Sequence, residues 1–154
     1  MKSIRLVNCF LLVFILVGCP DKGVSYLCIK NNSHHDIVFY YYGGEHSYPD
    51  TTFILKPSGI INPSSVPCTP INRPLEYFAQ MARKDTLSFF FFHADTLEKY
   101  SLRELQRDYN ILRRYDLSSQ DIIILKNERG FPEIPYPPDE RMKYMKMWPP
   151  YGSE

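Results

Sequence analysis

Thr86-Leu87-Ser88-Phe89-Phe90-Phe91-Phe92 decides the fold. Successive side chains of an extended chain point to opposite faces, so four consecutive phenylalanines put large apolar rings on both. Neither face can be left to water, and the run predicts a central strand covered above and below. Asp85 and Asp95 bracket it. At about 3.3 Å per residue they stand more than ~20 Å apart, too far to act as the carboxylate pair of a glycosidase.

Working outward, Tyr26 to Lys30 and Asp36 to Tyr42 read as further strands. In the second, Ile37, Phe39 and Tyr41 share one face and Val38, Tyr40 and Tyr42 the other. The short link through Asn31-Asn32-Ser33 predicts an antiparallel hairpin between them. A long irregular stretch follows, punctuated by Pro49, Pro57, Pro63, Pro67, Pro70 and Pro74. Within it Phe53-Ile54-Leu55 and Gly59-Ile60-Ile61 are candidates for brief edge strands. Leu75 to Arg83 predicts a helix, with Pro74 at its first turn and Leu75, Phe78, Ala79 and Ala82 on one side.

Beyond the phenylalanines, Ser101-Leu102-Arg103-Glu104 has the form of a capping box and predicts a helix to about Asp108. Asn110 to Asp116 is a strand candidate, and Phe131-Pro132-Glu133-Ile134 a last extended piece on an edge. Ser118-Ser119-Gln120-Asp121 repeats the capping signal ahead of Ile122 to Leu125, whose β-branching favours strand while the cap favours helix. In the tail, Tyr136-Pro137-Pro138 is echoed by Trp148-Pro149-Pro150. Between them Met142 and Met145, at helical spacing, are expected to dock the tail onto the domain. The expectation is a mainly β, antiparallel β-sandwich-like domain of about five to seven short strands with two or three short helices; a small α+β domain is the alternative.

The amino-terminal stretch has another character. Lys2 and Arg5 precede an apolar run from Leu6 to Val17, broken only by Asn8 and closed by Leu16-Val17-Gly18-Cys19. The run is too short for a permanent span but has the length of a signal-peptide hydrophobic region. Its last four residues resemble the lipobox of bacterial lipoprotein precursors. That resemblance implies cleavage between Gly18 and Cys19, with diacylglycerol on the Cys19 sulfur. Residues 1–18 are then a leader, 19–24 a lipidated tether, and 25–154 one globular domain with a Pro-rich tail.

Tyr48-Pro49-Asp50-Thr51, Asp85-Thr86-Leu87, Arg114-Tyr115-Asp116-Leu117-Ser118, Tyr136-Pro137-Pro138 and the Met- and Lys-rich tail look like small lipoproteins of Bacteroidetes with no assigned activity. The resemblance tips Ile122 to Leu125 toward helix and implies no catalytic residues. It implies a protein of the cell envelope, lipid-anchored at the outer membrane, whose first partner is membrane lipid through acylated Cys19. An envelope protein or glycan is a further candidate partner.

Removing residues 1–18 from the 154 leaves 136, enough for one domain. Lys2 and Arg5 leave too, turning 18 basic against 17 acidic residues into 16 against 17. Such a balance supplies no field to draw nucleic acid. Lipid supplies the attachment instead: at about 0.8 kcal/mol per buried CH₂, two or three acyl chains hold far more firmly than one. Cys28 and Cys68 remain as thiols. Export permits a disulfide. With Cys28 in a strand and Cys68 in a Pro-rich loop, two separate free cysteines are expected.

Candidate chemistry is sparse, and no cofactor or metal is expected. His34 and His35 read as turn residues; His46 and His93 lack metal-ligand spacing. Asp-Thr at 50–51, 85–86 and 95–96 reads as turns and caps rather than a Ca²⁺ loop. Tyr40, Tyr42 and Tyr48, with Tyr41, are the binding candidates, because flat aromatic surfaces take sugars or peptides at low entropic cost. The expected role is non-enzymatic binding or structure. The alternatives are a carbohydrate- or peptide-binding accessory module and a hydrolase, which needs His93 or His46 beside Ser, Asp or Glu.

Overall fold

The computed structural model describes residues 24–42, 59–101, 103–105 and 111–153. Among these the chain is mainly β, with seven strands in two sheets and short helices packed at their margins. The larger sheet has the order β2-β4-β5-β7, made of Ile37–Tyr42, Thr86–His93, Arg113–Ser118 and Lys146–Trp148, all neighbours antiparallel. β4 carries the phenylalanine run and is interior, as expected. Leu87, Phe89 and Phe91 enter the main core with Ile37, Phe39, Tyr115 and Leu117. Phe90 and Phe92 enter a second core on the opposite face, with Val38, Tyr40, Leu105 and Ile111. Burying a phenylalanine stabilises by roughly 1.5–3 kcal/mol, so the run contributes on the order of 6–12 kcal/mol.

The smaller sheet, order β3-β1-β6, comprises Cys68–Ile71, Ser25–Asn31 and Glu133–Tyr136. Two expectations fail here. β1 and β2 form no hairpin: β1 pairs with β3 and, in parallel, with β6, while β2 belongs to the other sheet. The reason lies in Asn31, fully buried at the end of β1. Its Nδ2 donates to the carbonyls of His35 (2.8 Å) and Ile61 (2.9 Å), and its Oδ1 accepts from Ser33 (3.0 Å to N, 2.7 Å to Oγ). These bonds turn the link into a crossing between sheets.

The second failure concerns the cysteines. Cys68 opens β3 directly opposite Cys28 in the antiparallel register, and the two form a disulfide. The end of the Pro-rich segment is a strand and not a loop, and its register with β1 brings the sulfurs together.

The helices follow their local chemistry. α1 (Leu75–Met81) buries Leu75 and Ala79 and starts after Pro74. α2 (Ala94–Lys99) follows β4 directly. Ser101 and Glu104 form the expected capping box, with Ser101 N–H to Glu104 Oε2 at 2.8 Å and Glu104 N–H to Ser101 Oγ at 3.3 Å. Residues 103–105 are helical, and 106–110 lie outside the described residues. The second box, Ser118 with Asp121, opens α3 (Ser119–Ile124), so the cap prevails over β-branching. Phe53-Ile54-Leu55 also lies outside the described residues, while Gly59-Ile60-Ile61 contributes one bridge, Ile61 to Ile37. The tail docks as expected: Met142, in a 3-10 turn over Glu140–Met142, and Met145 are buried in the main core. It adds the unforeseen β7, and both echoed bonds, Tyr136-Pro137 and Trp148-Pro149, are cis.

Candidate functional site

The register of the larger sheet lays two rows of side chains across its outer face. One row runs Tyr42, Ser88, Asp116, Lys146; the next runs Tyr40, Phe90, Arg114, Trp148. The second row is apolar at its β2 side, where Leu105 and Ile111 cover it. Toward β7 both rows carry charge, at Asp116 and Lys146 in the first and at Arg114 in the second.

Asp116 anchors that half. Though buried, its Oδ1 accepts from Ser88 Oγ at 2.6 Å and from Arg114 Nε at 2.7 Å, while Lys146 Nζ stands 3.4 Å from Oδ2. The guanidinium carbon of Arg114 lies 5.6 Å from the Phe90 ring centroid, within cation–π range. The Ser88 hydroxyl thus donates its hydrogen bond to a carboxylate that two cations also approach. The result is a set of charge-assisted hydrogen bonds lying between the partly buried Tyr42 and the exposed Trp148.

On the sheet's inner face Arg113 grips the tail. Its Nη1 donates to Pro149 O at 3.2 Å and its Nη2 to Ser153 O at 3.3 Å. Next to it, the Tyr115 hydroxyl donates to Pro135 O at 3.0 Å, joining the two sheets, and burial holds its proton far above the ordinary tyrosine range. Tyr151 donates to Glu140 at 3.0 Å, which raises its proton affinity too.

Of the tyrosines singled out from sequence, Tyr40 is buried beneath the second core, its ring edge-on to Phe92 at 5.5 Å, and burial raises its pKa. It therefore belongs to the core and offers no flat face to a ligand. Tyr42 borders the Asp116 network at the sheet's edge, and Tyr41 stacks on Phe89 across the other face. Tyr48, Cys19 and His46 lie outside the described residues. His93 meets His35 edge-on at 5.1 Å, and among the described residues no group of three or more His, Cys, Asp and Glu is placed to hold a metal.

Sequence reading missed Ser88, Arg114, Asp116 and Lys146 as one group. The available signal was Arg113-Arg114-Tyr115-Asp116, three charges within a single strand. No helix among the described residues is long and apolar enough to cross a membrane. Comparison with known proteins finds no matching family model, no matching curated protein and no matching solved structure.

Proposed function

We propose that the chain is a lipid-anchored protein of the cell envelope, held at the outer membrane by acylated Cys19 and serving there as a non-enzymatic binding or structural protein. One observation carries the reading: the leader closes on Leu16-Val17-Gly18-Cys19 only six residues before the first strand starts at Ser25. A cleavage at Gly18 would thus leave every described strand and helix intact behind a short lead. The disulfide, which suits an oxidising compartment, supports export. Intact-mass measurement of the protein recovered from its native envelope tests the proposal. A chain beginning at residue 19 with two or three acyl groups is the expected result; a chain beginning at Met1, or an unmodified Cys19, overturns it.

A second reading, a glycan- or peptide-binding accessory module, is favoured by the exposed Trp148 beside Arg114, Asp116 and Lys146. An indole next to paired charges can stack on a sugar ring or a peptide side chain while the charges orient it. Loss of glycan-array or peptide-array binding on Trp148→Ala, with the melting curve kept, is its test; an array with no binding by the native protein sinks it.

A further inference from the structure

α1 and α3 pack side by side on the main core, burying Leu75, Ala79, Ile122 and Leu125. Two contacts tie them head to tail: Lys126 to Glu76 at 2.7 Å, and Ser119 to Asp85 at 3.0 Å. The faces turned away from the core are mixed, with exposed Gln80 and Gln120 among larger apolar groups. Tyr77 and Met81, one turn apart on α1, and Ile123 and Ile124 on α3 are all exposed, Met81 by 71 % and Ile124 by 49 %. Four large apolar side chains on the outward faces of two adjacent short helices are the feature that a lipid surface would cover. Arg73 lies over the Tyr77 ring at 4.7 Å, giving the patch a cationic, aromatic rim of the kind found at lipid headgroups.

The position of this patch relative to the chain's start names what covers it. Ser25, the first residue of β1, lies opposite Ile71, the last of β3, and only Asn72-Arg73-Pro74 separate Ile71 from α1. The patch and the entry of the tether therefore share one end of the molecule. The six steps from Cys19 to Ser25 reach at most about 20 Å when fully extended. That tether keeps the end of the domain that carries Ser25 within about 20 Å of the bilayer, so the surfaces at that end are the ones nearest the lipid.

We infer that the α1–α3 face, with Tyr77, Met81, Ile123 and Ile124, is the surface that rests on the phospholipid to which the acyl chains are anchored. This rests on the anchoring proposed above. The lipid chains hold the protein, and the helical face orients it, turning the Trp148 side of the larger sheet elsewhere.

The test uses the acylated full mature protein in vesicles of phosphatidylethanolamine and phosphatidylglycerol carrying brominated phosphatidylcholine. Trp148→Phe removes the natural indole, and a single reporter is then placed by Tyr77→Trp, Ile124→Trp or, as the distant control beyond the far end of β1, His34→Trp. Bromine is expected to quench the reporters at 77 and 124 at least roughly twice as strongly as the one at 34, as for side chains seated at the headgroup boundary. Two helix positions are used so that one misfolded variant does not remove the readout. Flotation and intact mass report anchoring separately. Protein that is acylated and floats, yet shows equal quenching at all three positions, or buries the 77 and 124 reporters against a second copy, overturns the inference and leaves the anchor standing. Protein without acyl groups that fails to float overturns both.

Discussion

The two sheets are held together by different means. The four-stranded sheet is closed by rings: Phe91 meets Tyr115 at 5.0 Å and Tyr136 at 5.2 Å, and Tyr40 meets Phe92 at 5.5 Å. The three-stranded sheet has a short edge, Cys68-Thr69-Pro70-Ile71, exposed along most of its length and lacking a backbone donor at Pro70. Little burial holds that edge, and there the chain carries its disulfide, from Cys68 to fully buried Cys28. Where a strand buries enough apolar surface, packing suffices; where it cannot, a covalent link takes over.

The sharpest way to break this contrast is to remove a ring. Phe91→Ala deletes a fully buried side chain at the centre of the main core and is expected to cost about 3–5 kcal/mol in urea unfolding. A cost below about 1 kcal/mol would show that the aromatic sheet does not depend on its core. The covalent side comes next. Replacing both Cys28 and Cys68 by Ala opens a 40-residue separation and is expected to lose about 2–4 kcal/mol. Hydrogen exchange should then accelerate in β1 and β3 more than in β4. Equal acceleration in both sheets would erase the distinction.

What could be read in advance divides along the same line. β4, the alternation along β2, both capping boxes and the docking of Met142 and Met145 were legible, since each depends on side chains within a few positions of one another. The failures were long-range. A one-sheet hairpin was expected where buried Asn31, bonded to Ile61 thirty residues away, sends the chain across to another layer. Pairing of Cys28 with Cys68 depended on a strand concealed among prolines. The candidate site was half legible: Tyr42 could be named and Tyr40 is core, while Ser88 and Lys146 reach the Arg114–Asp116 pair only through a register spanning three strands. No local pattern encodes such a row.

β7 offers a smaller test of the larger sheet, at its edge. Arg113→Met keeps an apolar stem in the core but leaves the Pro149 and Ser153 carbonyls without their donor. The expected loss is about 1–2 kcal/mol. It should appear as faster exchange and carboxypeptidase trimming of the tail with β4 protection unchanged. A tail as resistant as in the native protein would mean that Met142 and Met145 alone secure it.

Tyr115 belongs to both sheets, since it lies on β5 and donates to Pro135 on β6. Burial raises its pKa, as it does for Tyr40 and Tyr136, above the ordinary value of 10.0. The sign follows from linkage. In the unfolded chain these phenols lose protons near pH 10, whereas the folded protein keeps them. Their contribution is complete below that pH and declines as the pH rises above it, because the unfolded state binds fewer protons than the native one. Tyr115→Phe should cost about 1 kcal/mol at pH 7, through the lost inter-sheet hydrogen bond. It should also flatten the alkaline decline, so that between about pH 10 and 11 the variant's deficit shrinks. Urea midpoints taken from pH 7 upward decide the matter. A deficit constant across the whole range would mean that the Tyr115 proton is no better held in the folded protein than in water, and that the seam between the sheets is wetter than its packing indicates.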